Sequence, residues 1–75
     1  MNQINSLIIE GEVIEKYNKS ILLVHTRKNE CYRFEVECNN WIICVGDKLR
    51  VVGRLRQDPN TENILIVAEH IEVLP

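Results

Sequence analysis

Residues 45–75, VGDKLRVVGRLRQDPNTENILIVAEHIEVLP, are the stretch from which the fold of this chain can be read. Leu49, Val51, Gly53 and Leu55 alternate with Lys48, Arg50, Val52, Arg54 and Arg56. That is the two-residue period of a strand with one face buried and the other wet. Asp58-Pro59-Asn60 then supplies turn chemistry, because proline presets its own φ and Asp and Asn side chains bond back onto nearby backbone. An apolar, β-branched run from Ile64 to Val67 follows and continues through Ala68-Glu69-His70-Ile71-Glu72-Val73. The pattern predicts a long β-hairpin with a basic first strand. In the second strand the inward phase Ile64, Ile66, Ala68 does not run on into Ile71 and Val73. A one-residue bulge near Glu69-His70 reconciles the two halves.

Working outward, the rest of the chain also reads as strands. From Asn5 to Tyr17, Leu7, Ile9, Gly11 and Val13 face one way, and Ile8, Glu10, Glu12, Ile14 and Lys16 the other. Gly11 falls on the inward phase in mid-strand, where a missing side chain predicts a bulge or sharp bend. Asn18-Lys19 is a turn. Ile21 to Thr26 is a nearly continuous apolar run, expected of a strand covered on both sides. Arg27-Lys28-Asn29-Glu30 is a second turn. From Cys31 to Cys38 the alternation puts Tyr32, Phe34, Val36 and Cys38 inside and Arg33, Glu35 and Glu37 outside. Residues 39–45, NNWIICV, break the rhythm. A capping Asn39 or Asn40 allows a helical turn, so a short turn or one-turn helix is expected between strands 3 and 4, plugging the barrel with Trp41 and Ile42 or Ile43.

Seventy-five residues allow one domain, residues 1–75, with a thin core, since a chain of this size buries roughly 60% of its unfolded surface. No basic segment followed by a long apolar run opens the chain, and no apolar stretch is long enough to cross a bilayer, so a cytoplasmic protein with no membrane partner is expected. The fold class expected is all-β, a five-stranded OB-fold barrel, with an SH3-like barrel as the competitor.

The order of these signatures resembles bacterial single-stranded DNA-binding proteins. Asn5-Ser6-Leu7-Ile8-Ile9-Glu10-Gly11-Glu12-Val13 looks like that family's opening strand. Residues 45–55, VGDKLRVVGRL, resemble its fourth strand, and residues 68–74, AEHIEVL, its closing strand. Tyr32-Arg33-Phe34-Glu35-Val36 resembles the third strand loosely. The resemblance spans nearly the whole chain in order and implies an OB-fold that binds single-stranded DNA as a homodimer or homotetramer. The chain departs from that family toward a compact form, with only NNWIICV where the family has a fuller helix, a short loop between the last two strands, and no acidic tail after Pro75. The outward positions of the third strand, where the family carries stacking aromatics, here hold Cys31 and Glu37, with Glu35 between them.

That departure has a magnitude. Each base stacked on an aromatic contributes on the order of 1–3 kcal/mol, so losing two platforms predicts weak, largely electrostatic binding. Nine basic against eleven acidic side chains, a net charge of −2, point the same way. The candidate contacts are Lys16, Tyr17 and Lys19 at the first turn, Arg27 and Lys28 at the second, and Arg33, Arg54 and Arg56 on strands. Two readings of the row Lys48, Arg50, Arg54, Arg56 stand: contact with nucleic acid, or pairing with Glu10, Glu12 and Glu15 on a neighbouring first strand, at roughly 0.2–1 kcal/mol per cross-strand pair.

Cys31, Cys38 and Cys44 lack the close spacing of a zinc site, His25 and His70 lack ligand spacing, and an odd count argues against a disulfide framework. No metal, cofactor or enzyme motif is recognised. Ile8, Ile14, Leu65 and Val67, on the outward phase, predict a contact surface between subunits. The function expected is single-stranded DNA binding in replication, recombination or repair. The alternative is an OB-fold protein-interaction or assembly module, either primosomal-protein-like or one that has lost nucleic-acid binding. Nothing in the sequence excludes RNA, since no pattern reads a 2′-hydroxyl.

Overall fold

The computed structural model describes residues 6–39, 42–57, 60 and 64–75. Five strands, β1 (Ser6–Lys16), β2 (Ser20–Arg27), β3 (Glu30–Glu37), β4 (Lys48–Gln57) and β5 (Ile64–Leu74), close into one barrel in the order β1-β2-β3-β5-β4. No helix occurs among the described residues. The chain is therefore all-β, as its alternation predicts. β1 and β4 pair antiparallel along seven residues, the neighbourhood expected of an OB-type barrel. One parallel contact, Val36 to Ile66 and Glu37 to Val67, closes β3 onto β5.

β1 serves two neighbours by dividing its length. Ser6 to Glu12 pair with β4, and Glu12 to Lys16 pair with β2. Val13 sits opposite Leu23 and Glu15 opposite Leu22, so Ile14 is the extra residue of a bulge. The bulge in β1 thus lies at Ile14 and not at Gly11. Gly11 answers a different need: a Cβ there would lie 2.5 Å from the Val24 carbonyl oxygen, so the backbone of β2 passes too close for any side chain. The β5 bulge is where the phase argument puts it. Val52 pairs with His70 and Gly53 with Ala68, which leaves Glu69 unmatched and turns both halves of β5 inward.

Val13, Ile21, Leu23, Val36, Leu49, Val51 and Ile66 are fully buried, with every strand contributing. Each such side chain contributes roughly 1.5–3 kcal/mol by leaving water. Ile43, from the β3–β4 connection, joins them at 0% exposure, whereas Ile42 is 82% exposed. Ile43 is the plug that the sequence offered as one of two choices; Asn40 and Trp41 lie outside the described residues. The connection ends in a β-turn, not a helical one. The Asp47 amide donates to the Cys44 carbonyl at 3.0 Å, and the Cys44 amide to Asp47 Oδ2 at 2.9 Å. Gly46 and Asp47 then bond to both backbone groups of Val13, which ties the turn to β1.

Four side chains depart from their expected positions, for reasons of closure. β3 meets β5 only at Val36 and Glu37, and β1–β2 pairing stops at Glu12 and Val24. The outer half of the β2–β3 hairpin therefore projects from the barrel as a two-stranded arm. Tyr32 lies on that arm and is 45% exposed, not core, while Phe34, nearer the barrel, is half-buried against the core. Leu55 and Val73, near strand ends, are on the inward phase yet about half exposed. Leu65 goes the other way: expected on the outer surface, it is buried. By register Arg56 stands opposite Leu65, and its ion pair with Glu37 crosses the outer side of β5. An arginine stem laid along a strand takes apolar surface out of water. In β2 only Ile21 and Leu23 are buried; Leu22 and Val24, on the other face, are half-covered. The Asp58-Pro59 part of the last turn lies outside the described residues.

Candidate nucleic-acid interface

The eight candidate residues fall into three groups. Lys16, Tyr17 and Lys19 sit at the end of β1 and in the turn to β2. That turn is closed by the Tyr17 amide donating to the Ser20 carbonyl at 2.8 Å. It is joined to the end of β3 by the Cys38 amide donating to the Lys19 carbonyl at 3.0 Å. Between them lies a groove of about 590 Å³, lined by Lys16–Ile21 and by Cys38 and Asn39. Tyr17 is half exposed, and its phenol donates to the Glu15 carboxylate. That bond, then partial desolvation and the charges of Glu15 and Glu35, hold the phenol above its ordinary pKa. The ring is therefore neutral and tethered by its hydroxyl.

Arg27, Lys28 and Arg33 form the second group, on the projecting arm. All three are exposed and make no ion pair with any described residue. Lys28 and Asn29 are the two loop residues between the paired Arg27 and Glu30. Lys28 has φ +57°, a conformation that β-hairpins normally assign to glycine at the first loop position of a type II′ turn. A side chain in the left-handed region costs roughly 1–2 kcal/mol, and here the side chain is a cation at the tip of the arm. Lys28→Gly is expected to raise stability by about 0.5–1 kcal/mol, the relief being partly offset by a freer unfolded chain. Thermal melts of the variant and its parent measure it, and a lower melting temperature would contradict the strain assignment.

Arg54 and Arg56, the third group, are exposed but paired. Arg54 Nε lies 2.9 Å from Glu69 Oε2, and Arg56 Nη2 lies 2.5 Å from Glu37 Oε2. Arg50 is held between Glu10 at 2.8 Å and Glu72 at 3.1 Å, and the two carboxylates hold its guanidinium above its ordinary pKa. Pairing thus accounts for three members of the basic row. The partners, however, come mostly from β5 and β3; of the three carboxylates expected from β1, only Glu10 pairs with an arginine of this row among the described residues. Exposed pairs like these contribute roughly 0–1 kcal/mol each, so a phosphate can compete for such an arginine.

Between the first two groups lies the outer face of β2 and β3. By register Glu15, Leu22 and Glu35 form one row, and Glu12, Val24 and Arg33 the next. The first of these rows is acidic and half-apolar, and Arg33 stands in the second, at the base of the arm. An approaching polyanion finds footholds at the two ends of this face and repulsion in between. Tyr32, on the arm, is a second half-exposed ring, its phenol donating to Glu30 and held above its ordinary pKa by that bond. Alternation alone puts it inside, because the phase of a strand does not reveal where its neighbour stops. The residues that sequence reasoning missed are Asn18, Ser20, Cys38 and Asn39, which build the groove with the lysines. No local pattern marks them, since the Lys19–Cys38 bond joins segments far apart in the chain.

Among the described residues no three His, Cys, Asp or Glu side chains gather to hold a metal ion. None of the three cysteines forms a disulfide; Cys31 and Cys44 are exposed and Cys38 is half-buried. What the fold and the candidate site define is a class, a small all-β protein of five strands closed on themselves with cations at two hairpin ends. The chain matches no protein-family model, and no curated protein matches it.

Proposed function

We propose that this chain is an OB-fold protein that binds single-stranded DNA, weakly and mainly through charge, in replication, recombination or repair. One observation carries the reading: Lys19, Arg27, Lys28 and Arg33 are exposed at the two ends of the β2–β3 face and have no carboxylate partner among the described residues. The β2–β3 face and the β1–β2 loop are where OB barrels take oligonucleotides. The ordered resemblance to bacterial single-stranded DNA-binding proteins supports the same reading. Ile8, 66% exposed on the outer side of β1, supports association into a homodimer or homotetramer. Several subunits on one strand raise effective concentration and offset weak individual contacts.

Titration of a labelled oligothymidine against salt tests it. Four cations releasing counterions from a single strand predict a log–log slope of about −3, so a fourfold rise in salt lowers affinity by roughly 50-fold. The Arg27→Glu/Lys28→Glu/Arg33→Glu variant is expected to lose binding at low salt. Arg54→Glu/Arg56→Glu should weaken it less, because those guanidiniums already face carboxylates.

A second reading, an assembly module without nucleic-acid binding, is favoured by the acidic row of the β2–β3 face. A flat salt response, or affinity unchanged in the triple variant, would leave that reading standing and remove the first.

A further inference from the structure

The groove at the β1–β2 turn has the composition of a nucleotide subsite. It offers an aromatic ring, two cations and neutral hydrogen-bonding groups within one concavity, lined by Lys16, Tyr17, Lys19, Ser20, Cys38 and Asn39. Its volume of about 590 Å³ falls in the range of small-molecule sites, roughly 300–1,000 Å³. One bond, Tyr17 to Ser20, closes the turn that forms the first wall, and a second, Cys38 to Lys19, holds the two walls together. Glu15, the nearest carboxylate to the ring, is occupied by the Tyr17 phenol.

We propose that this groove holds one nucleotide of a single strand, with its base against the Tyr17 ring, its phosphate at Lys16 and Lys19, and its base edge toward Ser20 and Asn39. The inference rests on the DNA-binding reading and adds to it a contact made by a base and not by the backbone. Aromatic faces accept any base, because every base has a π-face, so this subsite is expected to add affinity without sequence preference. It also sets a geometry for the strand. β2 runs from the groove to the arm with eight residues, about 25 Å, so one oligonucleotide reaches both ends only by crossing the acidic row.

The three thiols are placed to test this. Cys38 lines the groove, Cys31 lies on the arm near Arg33, and Cys44 lines neither. Alkylation of the intact protein, read by mass spectrometry with and without saturating dT12, is expected to slow several-fold at Cys38 and at Cys31 but not at Cys44. Affinities for dT12 and for a base-free 12-mer of the same backbone supply the second readout. Tyr17→Ala is expected to weaken dT12 by about tenfold or more and the base-free polymer far less, while Tyr17→Phe keeps the parent ratio of the two affinities. If dT12 binds and protects Cys31 while Cys38 reacts at its free rate, the subsite is wrong and the charge-based reading stands. Equal losses for the two polymers in Tyr17→Ala would also overturn it. If dT12 fails to bind at low salt, both fall together.

Discussion

Gly53→Ala is expected to cost the barrel about 3 kcal/mol or more, at the upper end of what overpacking does and a large share of the total. A domain of 75 residues carries roughly 4–11 kcal/mol in all. A Cβ at position 53 would lie 2.4 Å from the Val67 carbonyl oxygen and 2.8 Å from the Ile66 Cγ2. The Ile66 methyl belongs to a side chain and can shift; the carbonyl belongs to β5 and cannot move without breaking its pairing. Position 53 also adjoins the Glu69 bulge, where Val52 meets His70 and Gly53 meets Ala68. Nearby pairings are fixed on both sides of that irregularity, so the strands have little freedom to separate locally. Urea unfolding followed by circular dichroism measures the effect. A midpoint close to the parent's would mean that β5 can withdraw from β4 there, and that the barrel is less tightly closed than its geometry implies.

Ile43→Ala is expected to remove about 2–5 kcal/mol, the usual cost of emptying a fully buried isoleucine site. Ile43 is at 0% exposure and packs with core residues from the strands, yet it stands in the β3–β4 connection. Its loss therefore both opens a cavity and loosens the turn that Gly46 and Asp47 tie to Val13. The neighbouring substitution is the control. Ile42 is 82% exposed, and Ile42→Ala should change stability by less than about 0.5 kcal/mol. Equal effects at the two positions would show that the connection is not held by one inward side chain. Together with Gly53→Ala, the pair asks whether this fold is limited by closure of its strands or by filling of its interior.

The surface ion pairs belong at the other end of the scale. Arg50, Arg54 and Arg56 each meet a carboxylate, but all are substantially exposed. Their chief effect is on charge distribution: they neutralise the outer side of β4, while Lys19, Arg27, Lys28 and Arg33 have no carboxylate partner among the described residues. A net charge of −2 hides that unevenness. The arms of the DNA-binding test are chosen around it, with Arg27, Lys28 and Arg33 reversed in one variant and the paired arginines in another.

Much of the architecture is local in origin and so is legible in the residues themselves. Alternation with a period of two marks the strands and, in their central parts, the correct inner face. Leu49 and Val51 on β4, Val13 on β1, Val36 on β3 and Ile66 on β5 are buried as their phase requires. The Glu69 bulge is legible for the same reason, because a change of phase within one strand can only be absorbed by an extra residue. Closure is not local. Where β2 leaves β1, and how little of β3 meets β5, decide that Tyr32 is exposed, that Leu65 is covered and that Gly11 faces a passing backbone. The groove depends on closure too, since Lys19 and Cys38 meet only because the end of β3 returns to the first turn. The sequence by itself determined which segments are strands and which way their middles face, because a pleated backbone alternates whatever surrounds it. Only the tertiary structure decided which carboxylates Arg50, Arg54 and Arg56 meet, because that depends on the stagger of strands distant in the chain.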